Sequence, residues 1–286
     1  MKIASIDIGT NAIKSKVFET TPTSIEFLEG VRSPIRLGSD VFQNGSLSIE
    51  KLDELAKTLK KYQKNFLLKK IKMYEIVATS AFRDTENSEK ARRYIENKIE
   101  HPIRIISGLE EAQLIRLHPK AQSGSNKVYV DVGGGSTEIY IYEKGEHIIQ
   151  SFQLGAVRGM LEKEDPEEWK RLEKWLKRQS KIDNLVGLGG NIRSFLNINN
   201  TKKMSSINFI ERSNNLSNQK IEDKIANYKL GNDRADVIDH ALKIYLKIIS
   251  GLGIKSIKAT KWGVSDSIAV KTFHELYSKK ISIYKN

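Results

Sequence analysis

The chain has 286 residues, of which 39% are hydrophobic and 29% charged, and it has a formal net charge of +13 and no cysteine. This length fits two ordinary domains, and the absence of cysteine excludes disulfides and thiolate metal sites. Asp7 interrupts the first apolar run, and no stretch approaches the roughly 20 apolar residues of a membrane-spanning helix. We therefore expect a cytoplasmic protein without a membrane partner.

The first part of the chain alternates predicted strands with predicted helices. Hydrophobic spacing predicts, in order, strands at 2–8 and 12–18, a helix at 47–69, a strand at 74–78, a helix at 88–99 and a strand at 101–106. The pair Ser107 and Glu110 has the spacing of a capping box, which begins a further helix. The alternation is typical of the α/β class.

A polar, small-residue segment at 120–126 suggests a domain boundary. We place the two domains at 1–118 and 119–286, with the last helix free to dock back on the first domain. The second domain is predicted to contain strands at 127–132, 137–142 and 185–188, a helix capped by Asp165 and Glu168, and a long helix at 235–249. Residues 197–233 give no clear pattern.

The strongest signal is an internal repeat. The segments IASIDIGTNAIKSKVFE and VYVDVGGGSTEIYIYE share a buried strand, an Asp-x-Gly step, a turn of small residues and a second strand. Asp7 and Asp131 occupy matching positions in the two copies. An ordinary hairpin turn would explain one copy, but two matched copies favour two similar domains that each present an aspartate-tipped hairpin.

The residue types of these hairpins are suited to binding phosphate. Glycines allow close backbone approach, and successive inward N–H groups bind anions. The candidate phosphate-binding residues are Gly9, Thr10, Asn11, Gly133, Gly134, Gly135, Ser136 and Thr137. Because Asp7 and Asp131 would repel phosphate directly, we expect them to hold Mg²⁺ or Mn²⁺ between phosphate oxygens.

Five motifs, in this order, carry a family resemblance: IDIGTNAIK, ATSAFRD, SGLEEAQL, VDVGGGSTE and LGAVRG. Together they resemble the exopolyphosphatase / guanosine pentaphosphate phosphohydrolase family, which belongs to the superfamily of actin, sugar kinases and heat-shock chaperones. The resemblance spans nearly the whole chain. It implies two ribonuclease H-like, actin-like domains with a cleft between them that holds the phosphate chain.

The resemblance also implies roles for single residues. Glu111 matches the family's catalytic glutamate, which would activate water, and Arg83 would stabilise charge on the reacting phosphate. The plain alternative for Glu111 is a solvated acid at the start of a helix, and the one for Arg83 is an ion pair with Asp84 or Glu86. Arg36 and Arg158 are weaker candidates. Gly189 and Gly190 resemble the superfamily's third glycine motif and are added to the phosphate-binding set.

The chain departs from the family where an Arg-Glu-Gly run is usual, because it has Val264-Ser265-Asp266-Ser267 instead. Longer relatives also add a helical domain after the core, so we expect this chain to favour shorter phosphate chains. The scattered histidines have no metal-site spacing, and a Walker A motif is absent from the sequence.

We therefore expect Mg²⁺-dependent hydrolysis of terminal phosphate from inorganic polyphosphate. Three alternatives stay open: 5′-phosphohydrolysis of guanosine pentaphosphate, an ATP-dependent kinase, and a non-catalytic regulator that binds polyphosphate or the alarmone. The positive net charge fits a polyanionic substrate, although a lysine-rich composition alone would also explain it. Because the lysines form no single block, we expect no nucleic-acid partner; a homodimer is left open.

Overall fold

The computed structural model describes residues 1–123 and 126–283, with the backbone alone for 279–283. Contacts divide the chain into two compact units. The first comprises Met1–Ser107 and the described residues from Val264 onward, and the second comprises Gly108–Gly263. This division differs from the boundary predicted after residue 118, because the helix that begins at Gly108 packs on strands of the second unit.

The first stretch of the chain forms β1 (Lys2–Ile8), β2 (Ile13–Thr20), β3 (Ile25–Ser33), α1 (Leu37–Asn44), α2 (Ile49–Leu68), β4 (Met73–Ala78), α3 (Ser80–Arg83), α4 (Ser88–Ile99) and β5 (Arg104–Ile105). The second unit contains α5 (Gly108–Leu114), β6 (Lys127–Val132), β7 (Thr137–Glu143), β8 (Glu146–Phe152), α6 (Ala156–Met160), α7 (Pro166–Leu176), β9 (Asn184–Leu188), α8 (Gly189–Ile198), β10 (Lys203–Ser205), α9 (Ser206–Ser217), α10 (Ile221–Tyr228), α11 (Asn232–Ala235), α12 (Ile238–Leu252) and β11 (Ser256–Ala259). The last helix is α13 (Val264–Ile283).

The sheet of the first unit has the strand order β3-β2-β1-β4-β5. Strands β1 to β3 form an antiparallel meander, whereas β4 pairs in parallel with both β1 and β5. Parallel strands need crossover connections, which α1 to α4 provide. Helix α13 packs on β1, β2 and β4, so the C-terminal segment completes this unit.

The sheet of the second unit repeats this order. Its strands follow the order β10-β11-β9-β6-β7-β8, in which β6, β7 and β8 form the meander and β9 pairs in parallel with β6. A three-strand meander extended by parallel strands is the ribonuclease H-like topology. The predicted fold class, α/β with two ribonuclease H-like, actin-like units, is confirmed.

Several predicted boundaries were wrong. The strand predicted at 101–106 is reduced to β5, since Pro102 has no N–H to donate to a neighbouring strand. The segment 197–233 contains α9 and α10, whose polar residues weaken the helical pattern in the sequence. The long helix begins at Ile238 and not at residue 235.

The cap of α7 forms only in part as predicted. The Asp165 side chain accepts a hydrogen bond from the Glu167 N–H at 2.8 Å, and Pro166 occupies the first helical position. Glu168 does not close a capping box, because its carboxylate accepts from the Gln153 N–H and from Arg171. Glu168 thereby ties α7 to the end of β8.

Both units have apolar cores between sheet and helices. Fully buried aromatic side chains, among them Phe66 of α2 and Tyr245 of α12, lie in these cores. Within the described ranges, none of the helices is both long and apolar enough to cross a bilayer.

We expect His240 of α12 to make the stability of the second unit depend on pH. Burial lowers the pKa of His240 and is the largest effect. The charges of Asp239 and Glu164 raise the pKa by less, and those of Lys243 and Lys224 lower it by less. Because the pKa in the folded state lies below the ordinary value of about 6.5, the unfolded chain takes up a proton first as the pH falls. The stabilisation is fully present above pH ~6.5 and is lost as the pH falls from there through the folded-state pKa.

We expect the unfolding free energy to decrease over this pH range by at most about 1.4 kcal/mol per pH unit for this single proton. Urea unfolding at a series of pH values, compared between the wild type and His240→Gln, measures it. If both proteins show the same pH dependence below pH ~6.5, the assignment to His240 is wrong.

Candidate functional site

The two predicted hairpin turns have the same backbone hydrogen bond. In the first turn the Gly9 N–H donates to the Ala12 carbonyl at 3.2 Å, and in the second the Gly133 N–H donates to the Ser136 carbonyl at 2.9 Å. A Cβ on Gly9 would lie 2.9 Å from the Ala12 oxygen, and one on Gly133 would lie 3.1 Å from the Ser136 oxygen. The sequence repeat is thus a repeat of turn geometry.

The carbonyl groups of the second turn are used by the chain itself. N–H groups of α6 donate to the Gly133 and Gly134 oxygens, at 2.8–3.0 Å, and the Arg158 Nε donates to the Gly135 oxygen at 3.0 Å. In contrast, no hydrogen bond of the Gly134 or Gly135 N–H group is found among the described residues. The turn therefore offers donors and hides acceptors, which suits an anion.

Carbonyl groups of the first turn are also used by the chain itself. The Thr10 carbonyl accepts from the Gly38 N–H at 2.9 Å, and the Asn11 carbonyl accepts from the Arg36 N–H at 3.1 Å. Arg36 adopts a left-handed conformation, with φ 59°, at the start of α1. The Thr10 hydroxyl is 2.5 Å from the Ser80 hydroxyl, so α3 holds this turn in place.

The two aspartates have different cross-strand neighbours. Asp7 lies opposite Lys14, whose ammonium is 3.2 Å from the Asp7 Oδ2. Asp131 lies opposite Glu138, a buried residue that accepts a hydrogen bond from Ser151 at 3.0 Å. The first hairpin therefore pairs its buried carboxylate with a lysine, and the second places two acidic residues at directly opposite strand positions.

This difference bears on the predicted metal. Like charges at directly opposite strand positions repel unless a cation or proton balances them. Gly189, with φ +77°, lies against Asp131, and a Cβ there would collide with the Asp131 carboxylate. Burial raises the pKa of Tyr245, and the Asp131 charge raises it further; the Tyr245 hydroxyl donates to the Val130 carbonyl at 3.3 Å.

The pair formed by Asp131 and Glu138 fits Mg²⁺, which binds through one or two carboxylates and leaves its other positions to phosphate and water. In the part of the chain that the structure describes, there is no cluster of three or more His, Cys, Asp or Glu residues able to hold a metal. The other predicted metal ligand, Asp7, contacts the Lys14 ammonium at 3.2 Å.

The third glycine motif is bound to the second hairpin. Asn191, which is buried, donates to the Val132 carbonyl at 2.8 Å and accepts from the Arg234 guanidinium. A Cβ on Gly190 would lie 2.5 Å from the Arg234 Nη2, so glycine there leaves room for this guanidinium. The second unit thus combines a donor-rich turn, two carboxylates and an arginine.

The two glutamates at the start of α5 differ in exposure. Glu111 is buried, with 8% of its surface exposed, and Glu110 is half-buried. The helix begins directly after Ser107, in agreement with the predicted start. A buried carboxylate in the first turn of a helix is not the solvated acid of the plain alternative.

Arg83 ends the short helix α3. Its Nη1 donates to the Ile106 carbonyl at 3.0 Å, and its Nε is 3.4 Å from the Asp84 carboxylate. The ion pair with Asp84 is therefore present, as the structural alternative required. These two contacts orient the guanidinium group.

The segment that departs from the family pattern contributes to packing in the first unit. The Asp266 carboxylate is 2.5 Å from the Lys16 ammonium, and the Ser5 hydroxyl donates to the Ser265 carbonyl at 2.7 Å. These contacts join the start of α13 to β1 and β2.

Glu138 and Arg234 were missed as candidate site residues by the sequence analysis. Glu138 carries a detectable signal, since an acidic residue in an otherwise apolar strand, directly opposite Asp131, breaks the hydrophobic pattern. Arg234 has none, because its partner Asn191 is 43 residues away in the sequence.

Comparison with known proteins gives a family match over most of the chain. The model of the Ppx/GppA phosphatase family matches residues 16–276. Solved structures with the same fold include the Ppx/GppA family member from Aquifex aeolicus, with 22% identity and a TM-score of 0.75, which covers 99% of this chain and 98% of that one. An exopolyphosphatase from Cytophaga hutchinsonii has 20% identity and a TM-score of 0.85, with 96% and 98% of the two chains covered.

Proposed function

The chain belongs to the Ppx/GppA phosphatase family, and from this premise we propose that it removes terminal phosphate from inorganic polyphosphate and releases orthophosphate. The observation that most supports a phosphoanhydride substrate is the second hairpin turn. Its carbonyls are bound within the chain, and the N–H groups of Gly134 and Gly135 are left for an anion. Such a preformed donor set needs no rearrangement to stabilise phosphate oxygens.

In this proposal Glu111 is the general base. It orients a water molecule in line with the terminal phosphorus and takes its proton as the bridging P–O bond breaks. Burial of Glu111 supports this role, because a carboxylate shielded from bulk water can hold one water molecule in a fixed position. Arg83 is proposed to stabilise charge on the transferred phosphoryl group, and its contacts with Asp84 and Ile106 would orient it.

We assign Mg²⁺ binding first to Asp131 and Glu138. When bound, the ion would neutralise phosphate charge, which the two negatively charged carboxylates cannot do themselves. Arg234, held by Asn191, is added to the proposed phosphate-binding residues, together with Gly189 and Gly190 at the start of α8. Ser136 remains in the set. Thr137 is fully buried and its hydroxyl donates to the Leu154 carbonyl at 2.6 Å, so Thr137 anchors the turn instead of binding phosphate with its side chain.

Orthophosphate release from polyphosphate and from guanosine pentaphosphate, each with Mg²⁺ and with a chelator, tests the proposal. We expect faster release from polyphosphate and loss of release with the chelator. Release from guanosine pentaphosphate alone would reverse the substrate assignment. No release from either substrate, with polyphosphate binding intact, would favour a non-catalytic binder.

A further inference from the structure

The solvent-facing side of α2 changes in character along the helix. Acidic residues occupy its beginning, where Asp53 contacts Lys98 and Glu54 contacts Lys51. Further along, one stripe follows the i, i+3, i+4, i+7 spacing of a single helix face. This lysine–leucine face consists of Lys57, Lys60, Lys61, Lys64, Leu67 and Leu68.

The side chains of the lysine–leucine face are exposed. Leu67 is 78% and Leu68 74% exposed, whereas Phe66 between the stripe and the core is 1% exposed. Among the described residues, none of its four lysines pairs with a carboxylate. Lys70 and Lys72, which follow the end of α2, are also exposed and add positive charge next to the lysine–leucine face.

The helix dipole explains part of this pattern. Acidic residues favour the start of a helix and basic residues its end. The dipole does not explain two adjacent leucines that are three-quarters exposed at the basic end. A soluble polyanion would contact the lysines and leave both leucines in water. A surface that offers negative charge and an apolar layer beneath it would use both residue types.

We propose that the lysine–leucine face of α2 docks on an anionic lipid surface, with the lysines against the headgroups and Leu67 and Leu68 in the acyl boundary. The sequence prediction of no membrane partner rested on the lack of a spanning segment. Helical spacing gathers lysines that are scattered in the sequence onto one face of α2. This inference is independent of the proposed hydrolysis, since none of these residues lies in the candidate site.

Flotation of the full chain with phosphatidylcholine vesicles, with or without phosphatidylserine, tests the proposal. We expect binding only to the vesicles with phosphatidylserine. The variant K60Q/K61Q/K64Q should bind about 100-fold more weakly, since each lysine near an anionic surface contributes about 1 kcal/mol. The variant L67S/L68S should bind at least about tenfold more weakly at unchanged net charge.

Two control variants match these changes elsewhere. K174Q/K177Q/K202Q removes the same charge from exposed lysines of the second unit, and I207S removes an apolar side chain that is 75% exposed on α9. Both controls should bind like the wild type, and orthophosphate release by all four variants should be unchanged.

Equal weakening by both lysine variants would reduce the effect to net charge and overturn the proposal. Loss of binding in K60Q/K61Q/K64Q but not in L67S/L68S would mean that the face binds anionic charge alone, and it would overturn the placement of Leu67 and Leu68 in the acyl boundary. Absence of wild-type binding to vesicles with phosphatidylserine would also reject the proposal.

Discussion

Glu111→Gln is expected to lower orthophosphate release from polyphosphate by about 10²-fold or more, the effect of removing a positioned general base. Glutamine has nearly the same shape as glutamate but does not accept a proton from water. Glu111 is buried in α5, and the amide of glutamine fills the same volume as the carboxylate because the two groups have nearly the same shape. Phosphate release under saturating polyphosphate measures the turnover number, and polyphosphate binding by the variant should persist.

The adjacent residue provides the matched control. Glu110 is in the same helical turn and is half-buried, so Glu110→Gln changes the same charge next to the site. We expect its turnover to stay within about threefold of the wild type, as for a surface change that leaves the reacting groups in place. Equal losses in both variants would mean that the acidic charge of α5, and not a specific base, supports activity.

The hairpins could be predicted from the sequence because their determinants are local. A buried strand, an Asp-x-Gly step and a second strand lie within one short segment, so residue types and spacing fix the turn and place Asp7 or Asp131 at its edge. The two copies also predicted two similar units. The packing of α13 on the sheet of the first unit has no such local signal, because the sequence of a buried helix does not show which sheet it packs against.

The surroundings of the turns could not be predicted in the same way. Asn191 reaches Val132 across 59 residues, and Ser80 reaches Thr10 across 70. Such contacts depend on which strands become neighbours, and a single sequence does not state this directly. The charges opposite Asp7 and Asp131 are an intermediate case. Once the turn is known, the hairpin register places Lys14 opposite Asp7 and Glu138 opposite Asp131. The residue opposite the aspartate is therefore basic in one hairpin and acidic in the other.

Gly155→Ala is expected to disrupt the second hairpin turn and so to lower both stability and phosphate release. A Cβ at this position would lie 2.5 Å from the Gly134 oxygen and 2.5 Å from the Gly135 carbonyl carbon. These are backbone atoms of the turn itself, so no flexible side chain can move aside. We expect about 2 kcal/mol lower unfolding free energy, as for an overpacked site, and about 10²-fold slower phosphate release from a misplaced donor set.

Gly145→Ala is the control for Gly155→Ala, because it also replaces a glycine but causes no collision with the backbone. Gly145 joins β7 to β8 with φ +86°, and a Cβ there would meet no atom within 4 Å. The change costs about 1 kcal/mol of backbone strain without touching the phosphate-binding turn, so phosphate release should stay near that of the wild type. Urea unfolding and phosphate release, measured on both variants, distinguish these effects. If Gly155→Ala lost stability but kept full activity, the donor groups of Gly134 and Gly135 would not contribute to catalysis.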